Sequence, residues 1–296
     1  MDNQKSKFSA PAVVLAGVLW GIISLFVRSL YDAGLDALQI SALRLSVAAL
    51  SFLLALLCWK RSLLKIRLRD IWMFVCTGIV SVVLFNTLYF YTTVNSQASV
   101  AVVLLYTSPA FVILFSALLF REKITAKKLL ALGMTVGGCV LVSGMLGGGY
   151  KLTPLLLLTG LGSGVFYALY TIFARFALKK YDSMTVTAYT FLLGAIGALP
   201  LGKMGNTLAV LAAAPKLWVC ALCIGIVCTV LPYALYTWGL QRMDSGRASL
   251  LVAVEPLVGA LVGILVFRES CGAGKLIGVA LILGAVCVLS GKDGGN

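Results

Sequence analysis

The chain has 296 residues, of which 61% are hydrophobic and only 11% are charged, and its formal net charge is +14. This composition excludes a soluble globular domain, because so few polar side chains cannot cover so much apolar surface in water. The absence of histidine excludes histidine-based acid–base catalysis and histidine metal sites. The lipid bilayer is therefore the predicted solvent of an all-α integral membrane protein.

Ten apolar segments follow one another along the chain, and each is predicted to be a membrane-spanning helix of about 20 residues. The first is interpreted as a retained helix, because no small-residue cleavage site follows it. The seventh is the weakest, since it is short and holds Gly194, Gly197 and Pro200. The ten predicted spans are Pro11–Leu30, Gln39–Cys58, Ile71–Tyr91, Ala98–Phe120, Lys128–Leu146, Pro154–Ala177, Thr185–Leu201, Leu217–Leu240, Ala248–Phe267 and Lys275–Ser290.

The chain also matches itself, without a gap, at an offset of 147 residues. Arg28 meets Arg175, Pro109 meets Pro256, and Phe120-Arg121-Glu122 meets Phe267-Arg268-Glu269. A long unit repeated twice in an apolar chain is typical of transporters built from two structural repeats. The predicted units are residues 1–146 and 147–296, with five helices each. Because five is odd, the second unit is predicted to cross the membrane in the inverted orientation.

The distribution of basic residues predicts the orientation. With the N-terminus in the cytoplasm, 17 Lys and Arg residues fall on the cytoplasmic side and six on the other, with Arg44 inside a span. This bias follows the positive-inside rule and predicts a multi-pass protein of the inner or plasma membrane with both termini cytoplasmic. The positive net charge lies in short loops without a basic, aromatic-rich face, so no nucleic-acid partner is expected.

Two charged residues lie deep inside predicted spans. Glu255 is the only carboxylate well inside a span, and Arg44 is the only basic residue in a similar place. A charge near the bilayer centre is costly, so each should face a cavity or a partner. Arg44 could instead snorkel to the interface, and Glu255 could simply tie helices together. Glu255 is also the candidate to exchange a proton, which makes the proton a candidate coupling ion.

Both repeats carry a proline in the middle of a predicted span. Ser108 precedes Pro109, and Glu255 precedes Pro256 at the matched position. Proline removes a backbone hydrogen bond and bends a helix, which leaves the carbonyl four residues earlier without its donor. Such carbonyls persist only against protein or water, so the two kinks predict the position of a central cavity. A packing kink without a ligand is the alternative.

Aromatic and polar residues recur at helical spacing near these kinks. They are expected to line a cavity that suits a small amphipathic solute, whereas Tyr31, Tyr150 and Tyr181 are expected to anchor at the interface. With Trp20 and the residues at the kinks, the predicted cavity set is Trp20, Arg44, Asn86, Tyr89, Tyr106, Ser108, Tyr167, Tyr170, Tyr233, Tyr236 and Glu255.

The order of motifs resembles the drug/metabolite transporter superfamily, in its ten-helix EamA-type branch. The resemblance covers nearly the whole chain. It implies movement of small metabolites, often amino acids and frequently outward, across the inner membrane. It also implies that Asn86, Tyr89, Tyr106, Ser108, Tyr167 and Tyr170 line the cavity. The motifs that carry it are Trp20-Gly21, Arg44-Leu45, Tyr106-Thr107-Ser108-Pro109, Arg121-Glu122-Lys123, Arg247-Ala248-Ser249, Glu255-Pro256 and Arg268-Glu269.

Two other classes compete with a secondary transporter. An intramembrane enzyme would need a nucleophile with a base or two neighbouring carboxylates, and the spans hold one carboxylate and no histidine. A channel or a structural membrane protein is the other alternative; a channel usually shows rings of charge or a filter loop, and the sequence shows neither. The glycines at 160, 162 and 164 lack the features of a phosphate loop, so no ATP, cofactor or metal is expected. Substrate identity, transport direction and oligomeric state stay open.

Overall fold

The structure is a computed structural model that describes residues 8–96, 98–142, 153–268 and 272–290. Every regular element within these ranges is a helix, so the prediction of an all-α chain is confirmed for the part described. The predicted boundary between the halves, at residues 146 and 147, lies outside this part. So do the terminal residues 1–7 and 291–296, whose cytoplasmic location stays a prediction, and Glu269.

The helices follow the predicted spans closely. In the first half they are α1 (Ser9–Gly21), α2 (Ser24–Asp32), α3 (Ala37–Trp59), α4 (Ile71–Val75, a π-helical segment Cys76–Val83, and Leu84–Asn95), α5 (Ala98–Leu105), α6 (Ser108–Phe120) and α7 (Ala126–Val142). In the second half they are α8 (Pro154–Ala177), α9 (Ser183–Ala198), α10 (Met204–Ala213), α11 (Leu217–Leu222, a π-helical segment Cys223–Val230, and Leu231–Leu240), α12 (Ser245–Leu251), α13 (Glu255–Leu265) and α14 (Ala273–Ser290).

Seven helical stretches of the described chain are long and apolar enough to cross a membrane. The protein is therefore a multi-pass membrane protein. The three remaining predicted spans coincide with α7, α9 and α14, which are 17, 16 and 18 residues long. Ten crossings stay a prediction. The seven stretches are Ser9–Asp32, Ala37–Trp59, Leu68–Asn95, Val100–Phe120, Pro154–Ala177, Leu217–Leu240 and Ser245–Leu265.

Two local features differ from the sequence prediction. The first span is not one continuous helix, because a turn at Ile22 and Ile23 separates α1 from α2. Gly21, just before the turn, packs so closely against α13 that an added Cβ would lie 2.7 Å from a backbone oxygen. The second feature is α10, which lies in a segment predicted as a connection. It is held by a 3.1 Å hydrogen bond from Gln39 Nε2 to Thr207 Oγ1.

The two halves pack against each other through matched helices, and two matched glycines show this packing. Gly17 of α1 lies against the break between α12 and α13, where an added Cβ would lie 2.6 Å from the Val252 carbonyl oxygen. Its match, Gly164 of α8, lies against the break between α5 and α6, where a Cβ would lie 3.1 Å from the Leu104 carbonyl oxygen. The first helix of each half therefore supports the broken helix of the other half.

The two π-helical segments show the same exchange. They lie 147 residues apart, as the internal repeat requires. Gly78 of the first segment meets the backbone of α9 at Thr190, and Gly225 of the second meets Val47 of α3, so neither position has room for a Cβ. Helices α3 and α9 are themselves matched. The halves are thus interleaved through equivalent contacts, while their inverted orientation stays a prediction.

Candidate functional site

A cavity of about 250 Å³ lies between the two halves, and we call it the central cavity. One wall is a stripe on α1 and α2 that runs from Trp20 to Tyr31, and a second stripe runs along α3 from Arg44 to Ala37. Tyr31 is 63% exposed, so this end of the cavity, the open end, reaches the protein surface. From there the cavity extends to the middle of the helix bundle, where it meets Tyr233 and Glu255.

Arg44 brings a positive charge to the cavity wall. Its Nη2 lies 3.5 Å from Asn86 Oδ1, a long contact for a hydrogen bond. Asn86 is fixed in this direction, because its Nδ2 donates to the Val82 carbonyl at 2.7 Å. The Nε of Arg44 is buried and has no hydrogen-bond partner among the described residues. A buried donor without an acceptor is costly, so the guanidinium is well suited to bind an anionic group of a solute.

Glu255 brings a negative charge to the same cavity, from the first turn of α13. The Tyr106 side chain lies near this carboxylate. Tyr106 comes from the break between α5 and α6 and is buried behind Glu255. Arg44 and Glu255 face one cavity, yet they form no ion pair within 4.0 Å in the part of the chain that the structure describes. The two charges therefore leave room for a solute between them.

The inner end of the cavity is closed by aromatic rings, which we call the closed layer: Trp20, Tyr170, Phe191, Tyr233 and Tyr236. The ring of Tyr233 makes edge contacts with Trp20, Tyr170 and Phe191 at centroid distances of 4.8, 5.1 and 4.8 Å. Two hydrogen bonds between α8 and α11 hold the layer together. Tyr170 bonds to Thr237 at 2.8 Å, and Tyr236 bonds to Thr171 at 2.7 Å.

Comparison with known proteins decides the family. The model of the EamA-like transporter family matches residues 7–144 and again residues 154–291. The chain belongs to the EamA-like transporter family. Its two matched segments agree with the two repeats that the sequence predicts.

Similar proteins cover almost the whole chain. An "Uncharacterized transporter" of Archaeoglobus fulgidus is 30% identical over 295 residues, which is 95% of this chain and 96% of the relative. The "Uncharacterized inner membrane transporter YicL" of Salmonella typhimurium is 26% identical, over 94% of this chain and 93% of its own length. One solved crystal structure superposes with a TM-score of 0.77 over 95% of both chains at 19% identity, which shows a shared fold.

In this EamA-family chain, the central cavity contains most of the predicted site residues. Four others lie outside its lining. Tyr106 lies near Glu255 but is buried outside the lining. Tyr170 and Tyr236 form hydrogen bonds through their hydroxyls within the closed layer. Ser108 is buried, with 2% of its surface exposed. The predicted residues that line the cavity are Trp20, Arg44, Asn86, Tyr89, Tyr167, Tyr233 and Glu255.

Several lining residues were not predicted. Tyr31 was assigned to the membrane interface, but it stands at the open end of the cavity. For seven of these positions, all except Tyr31, Leu105 and Ile224, the sequence held a signal, because they lie three, four or seven residues from predicted ones on the same helix face. The unpredicted lining residues are Ile23, Val27, Tyr31, Ala37, Ile40, Ser41, Phe85, Phe90, Leu105 and Ile224.

The two prolines do interrupt their helices beside this site, although not as simple kinks. Pro109 follows a break at Tyr106 and Thr107, and Pro256 follows a 3₁₀ turn formed by Val252–Val254. The Val252 carbonyl was expected to lack a donor, but it accepts from the Glu255 backbone N–H three residues later. The tighter 3₁₀ turn supplies the hydrogen bond that proline removes. The role of both breaks as hinges stays a prediction.

The described residues contain no group of three or more His, Cys, Asp or Glu side chains that could hold a metal ion. Seven cysteines within this part are free thiols, and Cys139 and Cys228 are buried among apolar neighbours. One cation, one carboxylate and several aromatic rings face a common space.

Proposed function

We propose that this protein is a secondary transporter that exports amino acids or related small amphipathic solutes across the inner membrane. The observation that carries the proposal is the pair of opposite charges in the central cavity. Arg44 would bind the carboxylate of the solute, and Glu255 would bind its amine. The aromatic side chains around them would contact its apolar part, as in other small-molecule sites.

The size of the cavity supports a small solute. Its volume of about 250 Å³ is below the range of about 300–1,000 Å³ that is common for drug-sized ligands. The absence of a direct Arg44–Glu255 pair in the described chain supports a zwitterion, because a solute with both charges would satisfy both side chains. A solute with one charge would leave the other side chain without an opposite charge.

The difference between the two ends of the cavity supports alternating access. In this conformation one end is open near Tyr31, and the other is sealed by the closed layer. With cytoplasmic termini, the open end would face outward. Moving one repeat against the other would seal the Tyr31 end and open the closed layer, with the proline breaks as hinges. A proton carried by Glu255 is the proposed coupling ion.

The inner membrane is the proposed location. A relative named as an inner membrane transporter covers 94% of this chain, and the basic residues concentrate on one predicted side. A plain channel and an intramembrane enzyme are the alternatives. Counterflow, the exchange of labelled for unlabelled solute, separates a transporter from both. A channel, for example, shows no saturable counterflow.

Counterflow into proteoliposomes tests the proposal. Vesicles loaded with one unlabelled solute are offered its labelled form, using a panel of zwitterionic, anionic, cationic and neutral solutes of amino-acid size. We expect saturable uptake of a zwitterion, and we expect Arg44→Gln to weaken its binding about 10- to 100-fold. Lys60→Gln is the matched control, because it also removes one positive charge, at an exposed position outside the cavity. Uptake that does not saturate, or equal loss in the control, would contradict the proposal.

A further inference from the structure

A second, larger cavity lies at the end of the bundle opposite to the open end, and nothing in the proposed transport cycle uses it. We call it the basic cleft. It has a volume of about 770 Å³. Helices α6 and α8 end beside it and α7 and α12 begin there, so it lies at the level of a membrane surface. Its walls include Arg121, Lys123, Lys127, Lys128, Arg175 and Arg247, with Glu122 and Asp244 as the acidic residues.

Both acidic residues of the cleft are already engaged. Glu122 accepts hydrogen bonds from the backbone N–H groups of Ser245 at 2.9 Å and Gly246 at 3.3 Å. Asp244 accepts from Lys128 Nζ at 3.3 Å. Six positive side chains thus face two carboxylates whose oxygens hold parts of the protein together. The cleft keeps an excess of four positive charges in the described chain.

The internal repeat separates the cleft cations that are common to both halves from those that occur in one half only. Arg121, Lys128 and Arg175 have basic matches 147 residues away, namely Arg268, Lys275 and Arg28. Arg121 and Arg268 both adopt the left-handed backbone conformation, with φ of 56° and 55°. These three cations belong to the common framework of both halves.

The other three cations of the cleft are not repeated. Lys123 is matched by Ser270, Lys127 by Gly274, and Arg247 by Val100. The matched end of the molecule lacks these three cations. Lys123 and Lys127 are exposed at the cleft, so their charge acts on whatever enters it. A cavity of this size with six basic residues in its walls favours binding of an anion.

We propose that the basic cleft binds an anionic phosphate group, and that the group belongs to the headgroup of an acidic lipid. Basic pockets between helices on the cytoplasmic side are a recurring site for such headgroups. Phe120 and Leu289 add an apolar wall beside the cations, which suits the glycerol and first carbons of a lipid. A free phosphate would use only the charged part of the cleft.

Binding of short-chain phosphatidylglycerol to the detergent-purified full chain tests this inference. The test variant combines Lys123→Gln with Lys127→Gln. Each basic residue near an anionic lipid is worth about 5-fold in affinity, so we expect binding to weaken about 25-fold. The control combines Lys60→Gln with Lys65→Gln, which removes the same charge from exposed positions on the same predicted side but outside the cleft. Thermal unfolding of both variants shows whether they are folded.

Three further arms identify the source of the phosphate. Short-chain phosphatidylcholine, glycerol phosphate and inorganic phosphate are titrated in the same way. Binding of phosphatidylglycerol alone supports a lipid headgroup, whereas equally tight binding of inorganic phosphate assigns the site to a free phosphate and overturns the lipid part of the proposal. No binding of any anion, or equal weakening in the control variant, overturns the site itself.

Discussion

The wall of the central cavity and the closed layer are built in part from matched positions of the two repeats, yet they are opposite in structure. Four residues that line the cavity have a partner 147 residues later that lies in the closed layer, packed against other rings or bonded to a threonine. The matched pairs are Ile23 and Tyr170, Arg44 and Phe191, Asn86 and Tyr233, and Tyr89 and Tyr236. Matched positions of the two repeats therefore form an accessible cavity wall in one half and a sealed layer of aromatic rings in the other.

The difference also concerns charge. Arg44 is matched by Phe191, and Glu255 is matched by Ser108, so the two charges of the cavity have neutral counterparts. The closed layer is held by aromatic pairs and two hydroxyl hydrogen bonds, each worth about 1 kcal/mol. Opening it would break no ion pair within it. On the proposed function, the two charges that recognise the solute thus lie outside the closed layer, whereas Trp20 and Tyr233 belong both to the cavity wall and to the closed layer.

The largest expected effect concerns Glu255. If it carries one proton per solute, a difference of two pH units across the membrane drives about 100-fold accumulation. We expect Glu255→Gln to remove accumulation driven by the pH difference, while counterflow at equal pH persists with a weaker affinity for the solute. Ser108→Ala, at the matched neutral position, is expected to keep both. The measurement is solute accumulation in proteoliposomes at several pH differences, and accumulation that survives in Glu255→Gln would exclude proton exchange at this side chain.

Arg44 is expected to give the next largest effect. Hydrogen bonds to a charged group are worth about 1.5–3 kcal/mol, so Arg44→Gln should weaken solute binding about 10- to 100-fold. Arg44→Lys keeps the charge but lacks the planar guanidinium group, so its affinity for the solute should fall less than that of Arg44→Gln. Counterflow at a series of solute concentrations measures both. Equal affinities for the wild type and Arg44→Gln would place the guanidinium outside the solute site.

The matched glycines Gly17 and Gly164 test the close packing of helices between the two halves. A methyl group at Gly17 would lie 2.6 Å from a backbone oxygen of the second half, but at Gly164 the equivalent distance is 3.1 Å. We expect Gly17→Ala to destabilise the protein by about 1–3 kcal/mol and Gly164→Ala by less. Gly133→Ala, where nothing lies within 4 Å, should be neutral or slightly stabilising. Thermal unfolding in detergent ranks the three, and the reverse order would contradict the described contact.

The smallest expected effect is at the closed layer. Tyr170→Phe removes the 2.8 Å hydrogen bond to Thr237 but keeps the ring, so it should favour opening by about 1 kcal/mol, or about 5-fold. The readout is the rate of thiol labelling at Ala188→Cys, which is 6% exposed and matched to the cavity residue Ser41. Tyr31→Phe at the open end is the control. Unchanged labelling in Tyr170→Phe would show that this hydrogen bond does not hold the layer closed.

The sequence predicted the helices and the repeat well, because both depend on patterns within one chain segment. Hydrophobic length determined the spans, and Pro154–Ala177 and Leu217–Leu240 agree with the structure at both ends. The break after Gly21 was missed, since it arises from close contact with Glu255, a residue far away in the chain. Helix α10 was missed because it is short and gains its order from packing on α3.

The cavity was predicted less completely, for a related reason. Residue type identified Arg44 and Glu255, because a charge inside a span needs a partner or a cavity. Residue type could not separate Tyr167, which lines the cavity, from Tyr170, which is bonded within the closed layer. The two lie on the same face of α8, and only the position of the facing helix decides between them.

Reciprocal access to the two ends of the cavity tests the central claim most directly. In a chain whose eight native cysteines are replaced, Ser41→Cys marks the cavity wall on the side of the open end, and Ala188→Cys, at the matched position, lies one helical turn before Phe191 of the closed layer. A bulky, impermeant thiol reagent on Ser41→Cys should hold the open end open and strongly reduce labelling of Ala188→Cys from the other side. Simultaneous labelling of both positions at undiminished rates would indicate a continuous pore and would contradict alternating access.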